Sequence, residues 1–237
     1  MLTLGIETSG SSGTVALCDD GTILQEIELS RDGRRHARTL IAELKSLCQT
    51  QGVSPQQIQT VAVSVGPGSF TGLRVGIVCA RTFAYATGCQ LVGIDTLTAI
   101  AAAAIGDQEH PPVAGQHLEA VINAFRGELF VGSFRCSPTG DWVPDAPTRI
   151  VTLTEFLETR LPTTYLTGPG VETLQSKLPP GAPKPFTTLP ECLWHPRAST
   201  IATLGESAVR RGDLADLWSL PPNYLRRSAA EEKADIR

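Results

Sequence analysis

Apolar and polar positions change period several times along this 237-residue chain, and each change marks an element. Residues 2–6 (LTLGI) and 13–18 (GTVALC) are short apolar runs, and 22–29 (TILQEIEL) alternates. Asp19-Asp20-Gly21 separates the last two as a hairpin turn, since Asp and Gly accept the left-handed backbone of a two-residue connection. The pattern predicts a three-stranded antiparallel meander. The period then lengthens: Leu40, Ile41, Leu44, Leu47 and Cys48 recur at helical spacing, which predicts a helix over 36–50. Gly52 ends it, and Ser54-Pro55 leads to a β-branched strand at 60–65. Gly66-Pro67-Gly68 follows, then a helix over 71–87 stopping at Gly88, a strand at 90–94 and an Ala-rich helix at 96–105.

The second half opens as the first does. LEAVI at 118–122 matches LTLGI with an offset of 116, GELFVGSF at 127–134 matches the second strand, and Thr139-Gly140-Asp141 reads as the next turn. Helices at 153–160, 170–177 and 198–211 and a strand at 163–167 complete it. The polar, Pro/Gly-containing stretch 106–117 reads as a linker. Two meanders, each followed by alternating helices and strands, imply an α/β protein of two related halves, 1–105 and 118–237.

Composition narrows the function. Charged residues are 19% and the net charge is −4, so no sequence-independent pull toward nucleic acid is expected. The six cysteines form no C-x-x-C and no zinc spacing, and several sit in apolar runs. A reducing, cytoplasmic compartment is expected, with no leader and no membrane span.

Two loops are candidate sites. Glu7-Thr8-Ser9, ahead of Gly10-Ser11-Ser12-Gly13, is small and hydroxyl-rich enough for backbone amides to approach a phosphate. Gly66, Gly68 and Ser69 lie at the start of a helix, where amides can face an anion. The offset sets Asn123 opposite Glu7, so the second half offers an amide where a Mg²⁺-dependent phosphotransferase favours a second acid. No H-E-x-x-H, H-x-x-x-H, G-x-S-x-G or Walker A pattern occurs, and neither a catalytic residue nor a metal or cofactor is expected. Gly72, Gly76, Ala80, Ala84 and Gly88 recur every four residues as a stripe of small side chains. Such a stripe serves close packing within the domain or a helix contact with another subunit. Both readings stay open at this level.

From end to end the chain resembles the bacterial TsaB (YeaZ-like) proteins of tRNA threonylcarbamoyladenosine biosynthesis. The matching pieces are Leu4-Gly5-Ile6-Glu7-Thr8-Ser9, His36 with Leu40, Gly66-Pro67-Gly68-Ser69-Phe70-Thr71-Gly72-Leu73-Arg74, Gly93-Ile94-Asp95-Thr96-Leu97, Gly127-Glu128-Leu129-Phe130 and Pro222-Asn223-Tyr224-Leu225-Arg226. The resemblance implies an actin/hexokinase-like (ASKHA) fold of two tandem ribonuclease-H-like lobes, the C-terminal tail packing back. It also implies a non-catalytic subunit that pairs with the catalytic paralogue TsaD, with the ATPase TsaE joining the pair. That complex transfers threonylcarbamoyl to adenosine 37 of tRNAs reading codons that begin with A. The chain alone is expected to form a homodimer, and to meet tRNA only through the complex. Carried over residue by residue, the pairing surface is His36, Leu40, Ile41, Leu44, Gly72, Gly76, Ala80 and Ala84. The family's usual Asp-Ala-Arg is Asn123-Ala124-Phe125 here. The alternative is a phosphotransferase or nucleotide-binding enzyme on the same fold.

Overall fold

The computed structural model describes residues 1–29, 36–106, 111–159, 164–178 and 186–226. They form two compact units, Met1–Asp95 with the chain from Ile201 onward, and Thr96–Thr200.

In the first unit β1 (Leu2–Glu7), β2 (Thr14–Asp19) and β3 (Thr22–Glu28) make the expected antiparallel meander. Its second turn uses left-handed Asp20 and Gly21, at φ 45° and 79°. After α1 (His36–Thr50), β4 (Thr60–Gly66) adds parallel to β1. After α2 (Phe70–Thr87), β5 (Gln90–Asp95) adds parallel to β4. The sheet order is β3-β2-β1-β4-β5, the ribonuclease-H-like arrangement. α2 starts with Ser69 as N-cap, its Oγ accepting the Gly72 amide at 3.2 Å, and stops at left-handed Gly88.

The second unit repeats the order. α3 (Thr96–Ala103) precedes β6 (His117–Phe125) and β7 (Glu128–Cys136), an antiparallel pair. The third-strand position is shared by β8 (Trp142–Pro144) and β9 (Arg149–Thr152), which pair with opposite ends of β7. After α4 (Leu153–Thr159), β10 (Tyr165–Thr167) lies parallel to β6. α5 (Gly170–Ser176) leads to β11 (Thr187–Thr188) at the edge. Two α/β units with one strand order are the actin/hexokinase-like architecture.

Alternation along the strands decides what each sheet face covers. Leu4, Ile6, Val15, Leu17, Val61 and Val63 meet Leu40, Leu44 and Leu47 of α1 and Ile77, Ala80 and Ala84 of α2. Fully burying each such leucine is worth about 1.5–3 kcal/mol. On the other face, α6 (Ala198–Arg211) comes so close that a Cβ on Gly205 would lie 2.5 Å from the Ala62 Cβ. α3 covers the equivalent face of the second sheet, Leu97 against Gly132. The sequence-based division had kept α3 with residues 1–105 and α6 with 118–237; the structure groups each with the other sheet. The reason is geometric: α3 follows the last strand of its own sheet, so its apolar side is free for the next one. Part of the expected linker, 107–110, lies outside the described residues.

Candidate functional site

The two candidate loops come together in the first unit, and they fill one another. Ser69 donates its amide to the Ser9 carbonyl at 2.8 Å, and Thr8 Oγ1 donates to the Gly72 carbonyl at 2.8 Å. Added Cβ atoms on Gly68, Gly72 and Gly76 would lie 2.6 Å from Ser9 O, 2.0 Å from Thr8 O and 2.2 Å from Thr8 Oγ1. These glycines therefore make room for the chain's own β1–β2 loop. Gly66 differs: at φ 115° it faces the carbonyl of Asn223.

Glu7 sits beneath this joint with no solvent exposure. One carboxyl oxygen accepts from both the amide and the hydroxyl of Ser9, and the other has no hydrogen-bond partner. Burial pushes the carboxyl above the usual range, against the opposing hydrogen bonds from Ser9. An internal carboxylate thus takes the amide that a bound phosphate would require. Asn123, at the equivalent place, accepts the Phe125 amide at 2.7 Å in a tight β6–β7 hairpin.

The residues expected at a partner surface need correction. Leu40 and Leu44 are buried against the first sheet, and Gly72, Gly76, Ala80 and Ala84 lie on the inward face of α2. All six are therefore core positions, and of them only Leu44 also borders an open surface depression. On a helix of 3.6 residues per turn a four-residue repeat drifts only about 40° per step, so one inward arc holds Gly72, Gly76, Ala80 and Ala84, while Gly88 is the exposed C-cap. Of the remaining pair, Ile41 is exposed, and the side chain of His36 lies outside the described residues.

The outward face of α2 is where sequence reasoning missed the available surface. Val78 is 60% exposed and Tyr85 69%, with Thr82 exposed between them. An apolar depression of about 410 Å³ lies between α1 and α2, lined by Ile41, Leu44, Lys45, Cys48 and Phe83 among others. The readable signal was Val78 and Tyr85 at helical spacing on the face that also carries Arg74 and Arg81, opposite the buried stripe.

The chain after α6 returns across this unit. Ala215 donates to Leu91 O at 2.8 Å and Asn223 to Val65 O at 2.6 Å. Tyr224 stacks on Phe70 with centroids 4.5 Å apart, and its hydroxyl meets Arg74 Nε at 2.9 Å. The Arg74 guanidinium lies 4.0 Å from the Phe70 ring centre. The Gly-Pro-Gly segment and the Pro-Asn-Tyr segment, far apart in sequence, are one joint. Among the described residues no helix is long and apolar enough to cross a membrane, and no three His, Cys, Asp or Glu side chains gather as metal ligands.

A family model described as "TsaD: tRNA N6-adenosine threonylcarbamoyltransferase" matches residues 22–132. The tRNA threonylcarbamoyladenosine biosynthesis protein TsaB of Escherichia coli is 30% identical over 142 residues, 60% of this chain and 58% of that protein. The Bacillus subtilis protein of the same name is 26% identical over 98% of this chain and 97% of its own length. The structure of YeaZ from Pseudomonas aeruginosa has the same fold, with a TM-score of 0.77 at 22% identity over 94% of this chain and 99% of that one. Motif blocks at both ends, the duplicated sheet order and these matches agree: from end to end the chain is similar to the TsaB (YeaZ-like) proteins of tRNA threonylcarbamoyladenosine biosynthesis.

Proposed function

We propose that this chain is a non-catalytic subunit that pairs with a TsaD-type transferase through the outward faces of α1 and α2. The pair, joined by a TsaE-type ATPase, modifies adenosine 37 of tRNAs reading codons that begin with A. The chain alone forms a homodimer through the same face, acts in the cytoplasm, and meets tRNA only in the complex.

The observation that carries this reading is the filled loop. In the first unit Gly72 and Gly76 of α2 accommodate Thr8, Gly68 ahead of it accommodates Ser9, and Glu7 occupies the Ser9 amide from within. That leaves the exposed apolar residues of α1 and α2, Ile41, Val78 and Tyr85, as the surface in search of a function. The TsaD family match spans both helices, which supports a partner with a like helix pair. Two like helix pairs meet naturally in a pseudo-two-fold contact.

The test is co-purification with the TsaD-type protein of the same cell, then a reconstituted threonylcarbamoyl-transfer assay. The intact chain should co-purify and raise transfer, and Val78→Arg should abolish both while keeping the fold. Micromolar binding of Mg-ATP with turnover by the chain alone would instead establish the phosphotransferase alternative.

A further inference from the structure

Glu7 is the last residue of β1, and the chain is gripped differently on its two sides. Before it, Thr3 to Ile6 lie between β2 and β4 and are paired on both edges. After it, the β1–β2 loop is held at isolated points. The Ser9 carbonyl takes the Ser69 amide, Thr8 Oγ1 donates to the Gly72 carbonyl, and the Thr8 amide reaches Ser64 Oγ at 3.4 Å. Beyond Ser9 the loop comes to the surface, with Gly10 half-buried and Ser11 exposed. Of the backbone around Glu7, the loop is the part that can yield.

The carboxyl couples that loop to a proton. Its second oxygen is buried with no hydrogen-bond partner. In the neutral acid only a hydroxyl there goes unpaired; in the ion a charge does, at far greater cost. No neighbouring charge relieves it. Its register partner on β2 is Thr14, and β4 presents Ser64; neither titrates. Glu28 of β3 lies one strand further out, opposite Thr14, and Asp95 ends β5 beyond β4. On α2, Arg74 is taken by Tyr224 and Arg81 by the Leu217 and Trp218 carbonyls, and burial pushes the Cys79 thiol up to about 11. On α6, Glu206 and Arg210 pair with each other at 3.6 Å. None of these groups shifts the Glu7 carboxyl: burial raises it, and the donors Ser9, Ser64 and Gly10 oppose burial without overcoming it. An ion formed here has only water to turn to.

We propose that Glu7 is a proton-controlled latch: while its carboxyl is neutral the β1–β2 loop stays seated on Ser69 and Gly72, and ionisation unseats it. The seated loop holds a proton that the open loop releases. Seating is therefore fully favoured below the open-loop pKa and weakens as pH rises toward the seated one, by up to about tenfold per pH unit. The latch stands whether or not α1 and α2 pair with a transferase.

The test follows the full chain by NMR from about pH 5 to 9, a span that starts above the ordinary carboxylate range. It reads the ¹³C resonance of the Glu7 carboxyl and the exchange protection of the Ser69 amide, whose bond is to the loop. The carboxyl should titrate above the usual range, and Ser69 protection should fall with it. That fall should be insensitive to small additions of urea, the mark of a local opening. In Glu7→Gln the protection should stay level. Thr8→Val removes the bond to Gly72 and leaves the carboxyl in place, so it serves even where Glu7→Gln fails to fold. Each loss of about tenfold in Ser69 protection at low pH should lower its Glu7 midpoint by about one unit, because the ion forms only in the open loop. Titration of Glu7 with level Ser69 protection would overturn the proposal, since the charge would then be accommodated under a seated loop. So would an equal fall in Glu7→Gln, an unmoved midpoint in Thr8→Val, or Ser69 exchange that tracks global unfolding in urea.

Discussion

Each unit sends a strand parallel to its first strand into a Gly-Pro-Gly turn, and the two turns do different things. Gly66-Pro67-Gly68 follows β4 and Gly168-Pro169-Gly170 follows β10, with Gly66 and Gly168 both left-handed at φ 115° and 101°. In the second unit the turn lies directly on the middle of β6: Cβ atoms on Gly168 and Gly170 would meet the Val121 backbone at 2.3 and 2.9 Å. In the first unit α2 instead lies over the end of β1, where Thr8 and Ser9 leave the sheet. The difference is where the first strand stops. β6 runs on to Phe125 and turns back at once, so its backbone partners lie within the ladder. β1 stops at Glu7, so its loop finds partners in Ser69, Gly72 and the buried carboxyl. One local sequence thus makes the same strand-to-helix turn twice, and what packs into it is set by strand length elsewhere.

Alanine at Gly72 and at Gly170 breaks this comparison most severely. Backbone cannot yield as a flexible side chain does, so the 2.0 Å approach of Gly72 to Thr8 O forces α2 off the loop. Gly72→Ala should cost about 3 kcal/mol or more, at the upper end of overpacking. Gly170→Ala, whose nearest atom is at 2.9 Å, should cost about 1–2 kcal/mol. Urea unfolding measures both, and equal losses would mean that the two turns are packed alike.

The next test uses pH. The Glu7 carboxyl is raised by burial, so the folded chain holds a proton that the unfolded chain has released above the usual carboxylate range. Stability from this group is fully present below the unfolded pKa and declines as pH rises through the folded one. Glu7→Gln leaves a buried amide without a partner and should cost about 1–3 kcal/mol at pH 5. That gap should narrow by up to about 1.4 kcal/mol per pH unit above it. Asn123→Ala should give the same loss at every pH, since an amide does not titrate there. A parallel pH slope for Glu7→Gln and the unaltered chain would refute the buried-carboxyl account.

Much of this was legible in the sequence. The meander, the helices at 36–50 and 71–87 and the repetition of the strand order all appear, because strand and helix periods are local properties. The repeated Gly-Pro-Gly was readable too, but its offset of 102 breaks step with the strand offset and hides it. The inward direction of the small-residue stripe was not readable, since a Gly/Ala stripe fits a partner helix and a neighbouring loop equally well. Nor was the joint of Phe70, Arg74 and Tyr224, whose parts lie 150 residues apart for Arg74 and Tyr224. That joint distinguishes the first turn from the second, and Tyr224→Ala tests it. Loss of the ring stack and the hydroxyl bond should cost about 1–2 kcal/mol. Chemical denaturation checks the value. An unchanged midpoint would mean that the C-terminal segment is held by its backbone bonds to Val65 and Leu91 and by Arg81 on the Leu217 and Trp218 carbonyls.

The smallest expected effect has the opposite sign and falls on the second unit. The β6–β7 hairpin passes through three consecutive left-handed residues, Phe125, Arg126 and Gly127, at φ 62°, 56° and 79°. Only glycine takes this backbone freely, and asparagine takes it better than a bulky side chain. Phe125 is 72% exposed, so its ring gives back little buried area to offset the strain. Phe125→Asn should therefore stabilise the chain by about 0.5–1 kcal/mol, read as a higher denaturation midpoint at unchanged m-value. The β1–β2 loop offers no such gain, because Thr8 and Ser9 are buried and hydrogen-bonded at their places. A destabilised Phe125→Asn would show that the exposed ring is held by contacts worth more than the strain, and the hairpin would then be as tightly built as the loop it is compared with.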